Sequence, residues 1–340
     1  MTPACVRAPE RGRPPVHSPV LEVKNLAVEF GSGAGRVRAV DDVSFDVRPG
    51  ETLAIVGESG SGKSVTALSL LRLVPTPPGR ICAGEILFHG EDLLKASEAS
   101  IRSIRGNRIA MIFQEPMSSL NPALTVGLQI AEPLQLHGKL TWAKAFERAR
   151  ELLGKVRIPD AARRVNAHPH QFSGGMRQRA MIAMALACKP NLIIADEPTT
   201  ALDVTVQAQI LSLLKNLTKE TNAALILITH DLGVVARYAD RVCVMYAGRV
   251  VESGSAQDIY ANPQHPYTLG LMASIPRLDQ EAGQRLTPID GQPPDLAALP
   301  KGCAFEPRCR FAMARCRRER PALESQGGRH YRACFADVSC

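Results

Sequence analysis

The octapeptide Gly57-Glu58-Ser59-Gly60-Ser61-Gly62-Lys63-Ser64 fits G-x-x-x-x-G-K-[ST], a spacing that wraps the phosphates of a nucleotide. The residue types follow from the chemistry. A triphosphate needs backbone N–H groups pointing inward at close range, and glycines permit that turn without side chains in the way. Lys63 adds a mobile positive charge for the β- and γ-phosphates, and the Ser64 hydroxyl is placed to ligate Mg²⁺. Before the loop, Leu53-Ala54-Ile55-Val56 reads as a buried strand. After it, residues 63–73 carry helix formers, and such a helix points its positive end at the anion.

Asp196 and Glu197 directly follow the apolar run Leu192-Ile193-Ile194-Ala195. That places two carboxylates at the C-terminal edge of a sheet, where α/β proteins bind ligands. Asp196 is expected to hold Mg²⁺ through water, and Glu197 to orient or deprotonate the attacking water. In Phe172-Ser173-Gly174-Gly175-Met176-Arg177-Gln178-Arg179, small residues at a helix start leave amides free to face an anion, with Ser173 as a further hydroxyl donor.

At this stretch the chain resembles the ATP-binding-cassette (ABC) ATPases, whose signature loop usually reads LSGGQ. Ser173, Gly174 and Gly175 keep its core, while Phe172 and Met176 depart from it. The resemblance implies that Phe30 stacks on adenine, that residues 57–64, Asp196, Ser173 to Met176 and Asp203 bind nucleotide, and that Ser64, Gln114 and Asp196 surround Mg²⁺. It gives catalytic roles to Glu197, Gln114 of the glutamine loop, and His230, which follows the apolar run Leu225-Ile226-Leu227-Ile228 and Thr229 and resembles the switch histidine that contacts the γ-phosphate. Ala201-Leu202-Asp203 resembles the loop that crosses between paired cassettes. In this family two cassettes close head to tail, each ATP lying between one phosphate loop and the other subunit's signature loop, so a partner cassette is implied.

Three further stretches are similar to the D-type ATPases of oligopeptide and dipeptide (nickel) permeases. They are residues 113–122 (FQEPMSSLNP), His168-Pro169-His170-Gln171, and His265-Pro266-Tyr267-Thr268-Leu269-Gly270-Leu271. This similarity implies an importer with two transmembrane permease subunits, a second ATPase subunit that is a paralogue, and, indirectly, an extracytoplasmic substrate-binding protein. Dipeptides, oligopeptides, glutathione and nickel chelates all remain open as cargo. A soluble cassette ATPase acting on nucleic acid is the competing class; such proteins usually carry two cassettes or a long coiled coil, and this chain has neither.

Composition agrees with an ordinary globular protein. Charged residues make up 22% and hydrophobic ones 45%, and no run approaches the roughly 18 apolar residues that span a bilayer. The N-terminus lacks the apolar region of a secretory signal, so the expected location is the cytoplasmic face of the inner membrane, held there by partners. The net charge of +8 suggests nucleic acid only until it is mapped. Residues 301–340 carry nine Lys and Arg against four acids, residues 1–17 add three Arg against one Glu, and the body is nearly neutral. No specific nucleic-acid partner is expected.

Nine cysteines divide into a scattered set and a cluster. Cys303, Cys309, Cys316 and Cys334 are spaced C-x5-C-x6-C-x17-C amid arginines, which leaves an iron–sulfur cluster, Zn²⁺ or uncoordinated thiols open. The D-type resemblance implies a [4Fe–4S] cluster there.

The elements that must position these groups are legible in outline. Residues 1–17, rich in Pro and Arg, are expected to be a disordered leader. Residues 18–270 read as an α/β domain with a helical insertion at about 115–185, in which Pro133 and Gly138 interrupt the helical pattern, and the resemblance implies that it is a P-loop ABC nucleotide-binding domain with an N-terminal β subdomain. Residues 271–340 form a small Cys-rich C-terminal extension.

Overall fold

Strands β1 (Leu21–Phe30) and β2 (Val37–Val47) flank a turn in which Gly31 takes φ 88°, and they pair antiparallel with Leu21 opposite Val47. After β3 (Thr52–Val56), strands β4 (Gly79–Phe88) and β5 (Glu91–Asp92) complete this sheet in the order β2-β1-β4-β5. The structure is a computed structural model and describes residues 18–31, 33–115, 119–200, 202–274 and 289–338. The expected leader, residues 116–118 of the glutamine loop, Ala201 and Cys340 lie outside the described residues.

β3 lies in a second sheet with β6 (Ile109–Ile112), β7 (Leu192–Asp196), β8 (Ala224–Thr229), β9 (Arg241–Tyr246) and β10 (Arg249–Ser255). The run β9-β3-β8-β7-β6 is parallel throughout. Every residue of β3, β7 and β8 is buried, which is why these strands read as unbroken apolar runs. Alternate side chains serve opposite cores. Leu192, Ile194, Ile226 and Ile228 pack with Leu21 and Phe88 of the first sheet; Ile193, Ala195, Leu225 and Leu227 pack with the helices.

Helix α1 (Lys63–Leu70) follows the phosphate loop, and α2 (Glu98–Ile104) precedes β6. The helical insertion comprises α3 (Val126–Leu136), α4 (Trp142–Lys155), α5 (Ala161–Arg164) and α6 (Gly174–Ala185), joined through Ile130, Ala149, Leu153 and Ala180. Pro133 does not interrupt α3, contrary to the sequence expectation. It lies inside the helix, and the burial of Ile130 and Leu134 on either side offsets the lost backbone bond. Helices α7 (Val204–Thr221) and α8 (Leu232–Tyr238) flank β8.

The extension is fused to the domain. After α9 (Ala256–Ala261) and α10 (Pro266–Ala273), strands β11 (Glu324–Gly327) and β12 (His330–Arg332) form a hairpin whose β12 pairs antiparallel with β10, Glu252 opposite Arg332. The second sheet therefore ends β11-β12-β10. A third core of Tyr246, Ile259, Tyr267 and Phe305 seals the junction. Among the described residues no helix is long and apolar enough to cross a membrane.

Candidate active site

The chain leaves β3 at Val56 and enters α1 at Lys63 through the glycine loop. Gly62, which caps α1, takes φ 99°, and a Cβ there would lie 2.5 Å from the Ala39 carbonyl oxygen. Only glycine fits such a position. Inside the loop, the Lys63 Nζ donates to the carbonyls of Gly57 (2.8 Å) and Glu58 (2.9 Å). Burial lowers the Lys63 pKa, opposed by the nearby Glu197, Asp196 and Glu58 carboxylates. Among the described residues the buried Ser61 hydroxyl has no hydrogen-bond partner, and it is a donor that a phosphate oxygen would satisfy. Ser59 and Gly60 are exposed at the loop's crown.

Glu58 departs from the expectation of a nucleotide contact. Its N–H donates to the Tyr267 hydroxyl (2.8 Å), and its carboxylate is gripped by Arg308. That N–H is therefore spent outside the phosphate nest.

Ser64 Oγ donates to Asp196 Oδ1 at 3.1 Å, joining the loop to the end of β7. Burial pushes the Asp196 pKa up, and the Ser64 hydrogen bond opposes the shift. A hydroxyl and a carboxylate at contact distance are hard oxygen donors of the kind Mg²⁺ accepts, the rest of its shell coming from phosphate and water. Gln114 is not in this pair. It sits one position along, donating from Nε2 to Glu197 Oε2 at 3.2 Å.

Glu197 gathers motifs that lie far apart in the chain. Besides Gln114, its Oε2 accepts from the Thr200 hydroxyl (3.0 Å), and its Oε1 stands 3.3 Å from Nδ1 of His230. The backbone holds it at φ 45°, a costly conformation for a non-glycine residue that is maintained by its N–H bond to the Ile228 carbonyl (3.0 Å). Thr200 was not singled out in the sequence. Its position three residues beyond Glu197 was the available signal.

Phe30 lies at the end of β1, half-buried, with its ring against Gly79, where a Cβ would come within 2.8 Å of it. The signature residues occupy a separate neighbourhood. Ser173 caps α6 and is exposed together with Gly174, Gly175 packs near Val206, and Met176 is half-buried against the helical core. Phe172 is buried, which explains its apolar character. Asp203 caps α7, accepting from the Val206 N–H at 2.9 Å. Among the described residues no hydrogen bond or ion pair joins residues 173–176 to residues 57–64.

Cys303, Cys309, Cys316 and Cys334 line one small cavity with Phe305 and Phe311. Burial pushes the Cys303 thiol up to about 11 and raises Cys309 and Cys334 as well, favouring the neutral thiols. Among the described residues no group of three or more His, Cys, Asp or Glu side chains is arranged to hold a metal ion. As placed, the side chains do not support the cluster that the sequence led us to expect.

Comparison with known proteins places this geometry. Residues 40–200 match the family described as ABC transporter, and residues 251–316 match the oligopeptide/dipeptide transporter C-terminal region. The chain is 53% identical to the oligopeptide transport ATP-binding protein OppD of Salmonella typhimurium, over 94% of each chain. It is 54% identical to the protein of the same name from Bacillus subtilis, over 92% of this chain and 87% of that one. Among solved structures, the dimeric post-hydrolysis ATP-binding cassette MJ0796 bound to ADP and Pi superposes with a TM-score of 0.62 at 29% identity, covering 69% of this chain and 98% of that one.

Proposed function

Because the chain belongs to the ABC transporter ATPases that carry the oligopeptide/dipeptide transporter C-terminal region, we propose that it is the ATP-hydrolysing subunit of a peptide importer. The observation that carries the reading is the convergence of Gln114, Thr200 and His230 on Glu197, beside the Ser64–Asp196 pair at the mouth of the phosphate loop. Lys63, the loop amides and Ser61 hold the β- and γ-phosphates, and Phe30 stacks on adenine. Ser64 and Asp196 would hold Mg²⁺, which would supply positive charge to offset that of the phosphates. Glu197 accepts a proton from the attacking water. The new P–O bond forms as the bond to the β-phosphate oxygen breaks, giving ADP and phosphate, and Gln114 and His230 fix the carboxylate for that transfer.

Ser173, Gly174, Gly175, Met176 and Asp203 serve the partner's nucleotide. That no hydrogen bond or ion pair among the described residues joins residues 173–176 to residues 57–64 supports a head-to-tail pair, in which one copy supplies two unlike half-sites. The partner cassette is a paralogue, the pair sits on two membrane permease subunits at the cytoplasmic face of the inner membrane, and a substrate-binding protein delivers the peptide from outside. The resemblance alone carries a separate proposal, a [4Fe–4S] cluster on the four cysteines, which share one cavity without being arranged to hold a metal ion among the described residues. Iron-free protein after anaerobic purification would end it.

Lys63→Ala tests the main reading. In membranes holding the assembled importer it is expected to abolish ATP hydrolysis and uptake of labelled peptide together, with an unchanged circular dichroism spectrum. Hydrolysis at the unmodified rate would refute the assignment.

A further inference from the structure

We propose that the C-terminal extension is part of the ATP-binding machinery, with Arg308 and Tyr267 as positioning residues that hold the phosphate loop through Glu58. The inference rests on nucleotide binding at that loop.

All three polar groups of Glu58 are committed. Its N–H donates to the Tyr267 hydroxyl (2.8 Å), its carbonyl accepts from Lys63 Nζ (2.9 Å), and its carboxylate meets both terminal nitrogens of Arg308, at 2.7 and 3.0 Å. Arg308 is fixed in turn. Its Nε donates to the Asp290 carbonyl (2.9 Å), its guanidinium lies 5.9 Å from the Tyr246 ring, and its side chain is only 6% exposed. Tyr267 is fully buried between Tyr246 and Phe305, at ring separations of 4.6 and 5.4 Å. A planar, two-point Arg–carboxylate pair resists rotation in a way that a point charge does not.

The pair also answers an electrostatic problem. A carboxylate inside a phosphate loop repels the nucleotide and competes for the field of Lys63, which already feels Glu58. The motif leaves the second loop position free, so the phosphates do not require an acid there. Arg308 cancels its charge and turns it into a handle for the extension. Docking alone does not explain the contact, because the extension is already fastened by β12 on β10 and by the buried Glu252–His330 pair (2.7 Å).

The test is MgATP affinity of the full-length chain, measured by titration calorimetry, with KM and kcat taken in the assembled importer. Arg308→Ala is expected to weaken MgATP binding about tenfold and raise KM similarly, with kcat changing less than about twofold. Arg308→Lys, which keeps the charge and loses the fork, is expected to fall between. Adding Arg308→Ala to Glu58→Gln is expected to cost little further affinity, because Arg308 acts through that carboxylate. If Arg308→Ala does not fold, Tyr267→Phe and Arg308→Lys carry the test, each with about a threefold loss of affinity expected. Wild-type affinity in Arg308→Ala, or in both milder variants, overturns the inference, as does a further loss of about tenfold when Arg308→Ala is added to Glu58→Gln. Unmodified protein that binds no MgATP would instead overturn the nucleotide reading on which it rests.

Discussion

Glu197 is held in left-handed backbone so that one carboxylate can face an amide, a hydroxyl and an imidazole at once. Glu197→Gln keeps its shape and removes its basicity. Phosphate release is expected to fall at least about 100-fold while MgATP binding persists, as radiometric hydrolysis and calorimetry would show. Gly62→Ala acts through geometry instead. Its Cβ would press on the Ala39 carbonyl at φ 99°, so a loss of about 1–3 kcal/mol is expected, read as a lower Tm together with weakened nucleotide binding. The glycine spacing of residues 57–64 was legible in the sequence because phosphate chemistry dictates it locally. The partners of Glu58 were not, since Tyr267 and Arg308 lie 209 and 250 positions away and no pattern in the loop points to them.

At the level of elements, α10 begins with a buried titratable cap. His265 Nδ1 accepts from the Tyr267 N–H at 3.0 Å, and its own N–H donates to Glu252. Burial pushes its pKa down to about 3, from an ordinary 6.5. The unfolded chain therefore binds a proton that the folded chain refuses. The sign follows: stability is full above about pH 6.5 and is lost as pH falls toward 3, by on the order of a few kcal/mol. Thermal melts between pH 7.5 and 5 should show Tm falling, and His265→Asn, which keeps a cap acceptor and cannot titrate, should flatten the slope. The strands of the parallel sheet were legible because burial on both faces leaves continuous apolar runs. Pro133 misled, because tertiary packing of α3 overrides a local breaker. The hairpin β11–β12 was invisible, since Glu324–Gly327 is exposed along its whole length and has no apolar alternation to read.

At the scale of the whole molecule, the phosphate loop and the signature residues occupy different neighbourhoods of one chain, which separates binding from assembly. Ser173→Arg, placed at the exposed cap of α6, is expected to leave MgATP affinity of the isolated chain within about twofold. It should abolish nucleotide-dependent pairing with the partner cassette, as followed by size-exclusion chromatography. Equal pairing in the variant would count against the head-to-tail arrangement. The extension adds a different consequence. Its β12 covers the flank of β10 and shields Glu252, which is fully buried. A chain cut short before residue 324 would thus bare a row of unmet amides and carbonyls and strip Glu252 of its imidazole partner, and such a fragment should clump with its own kind rather than survive as a smaller working motor.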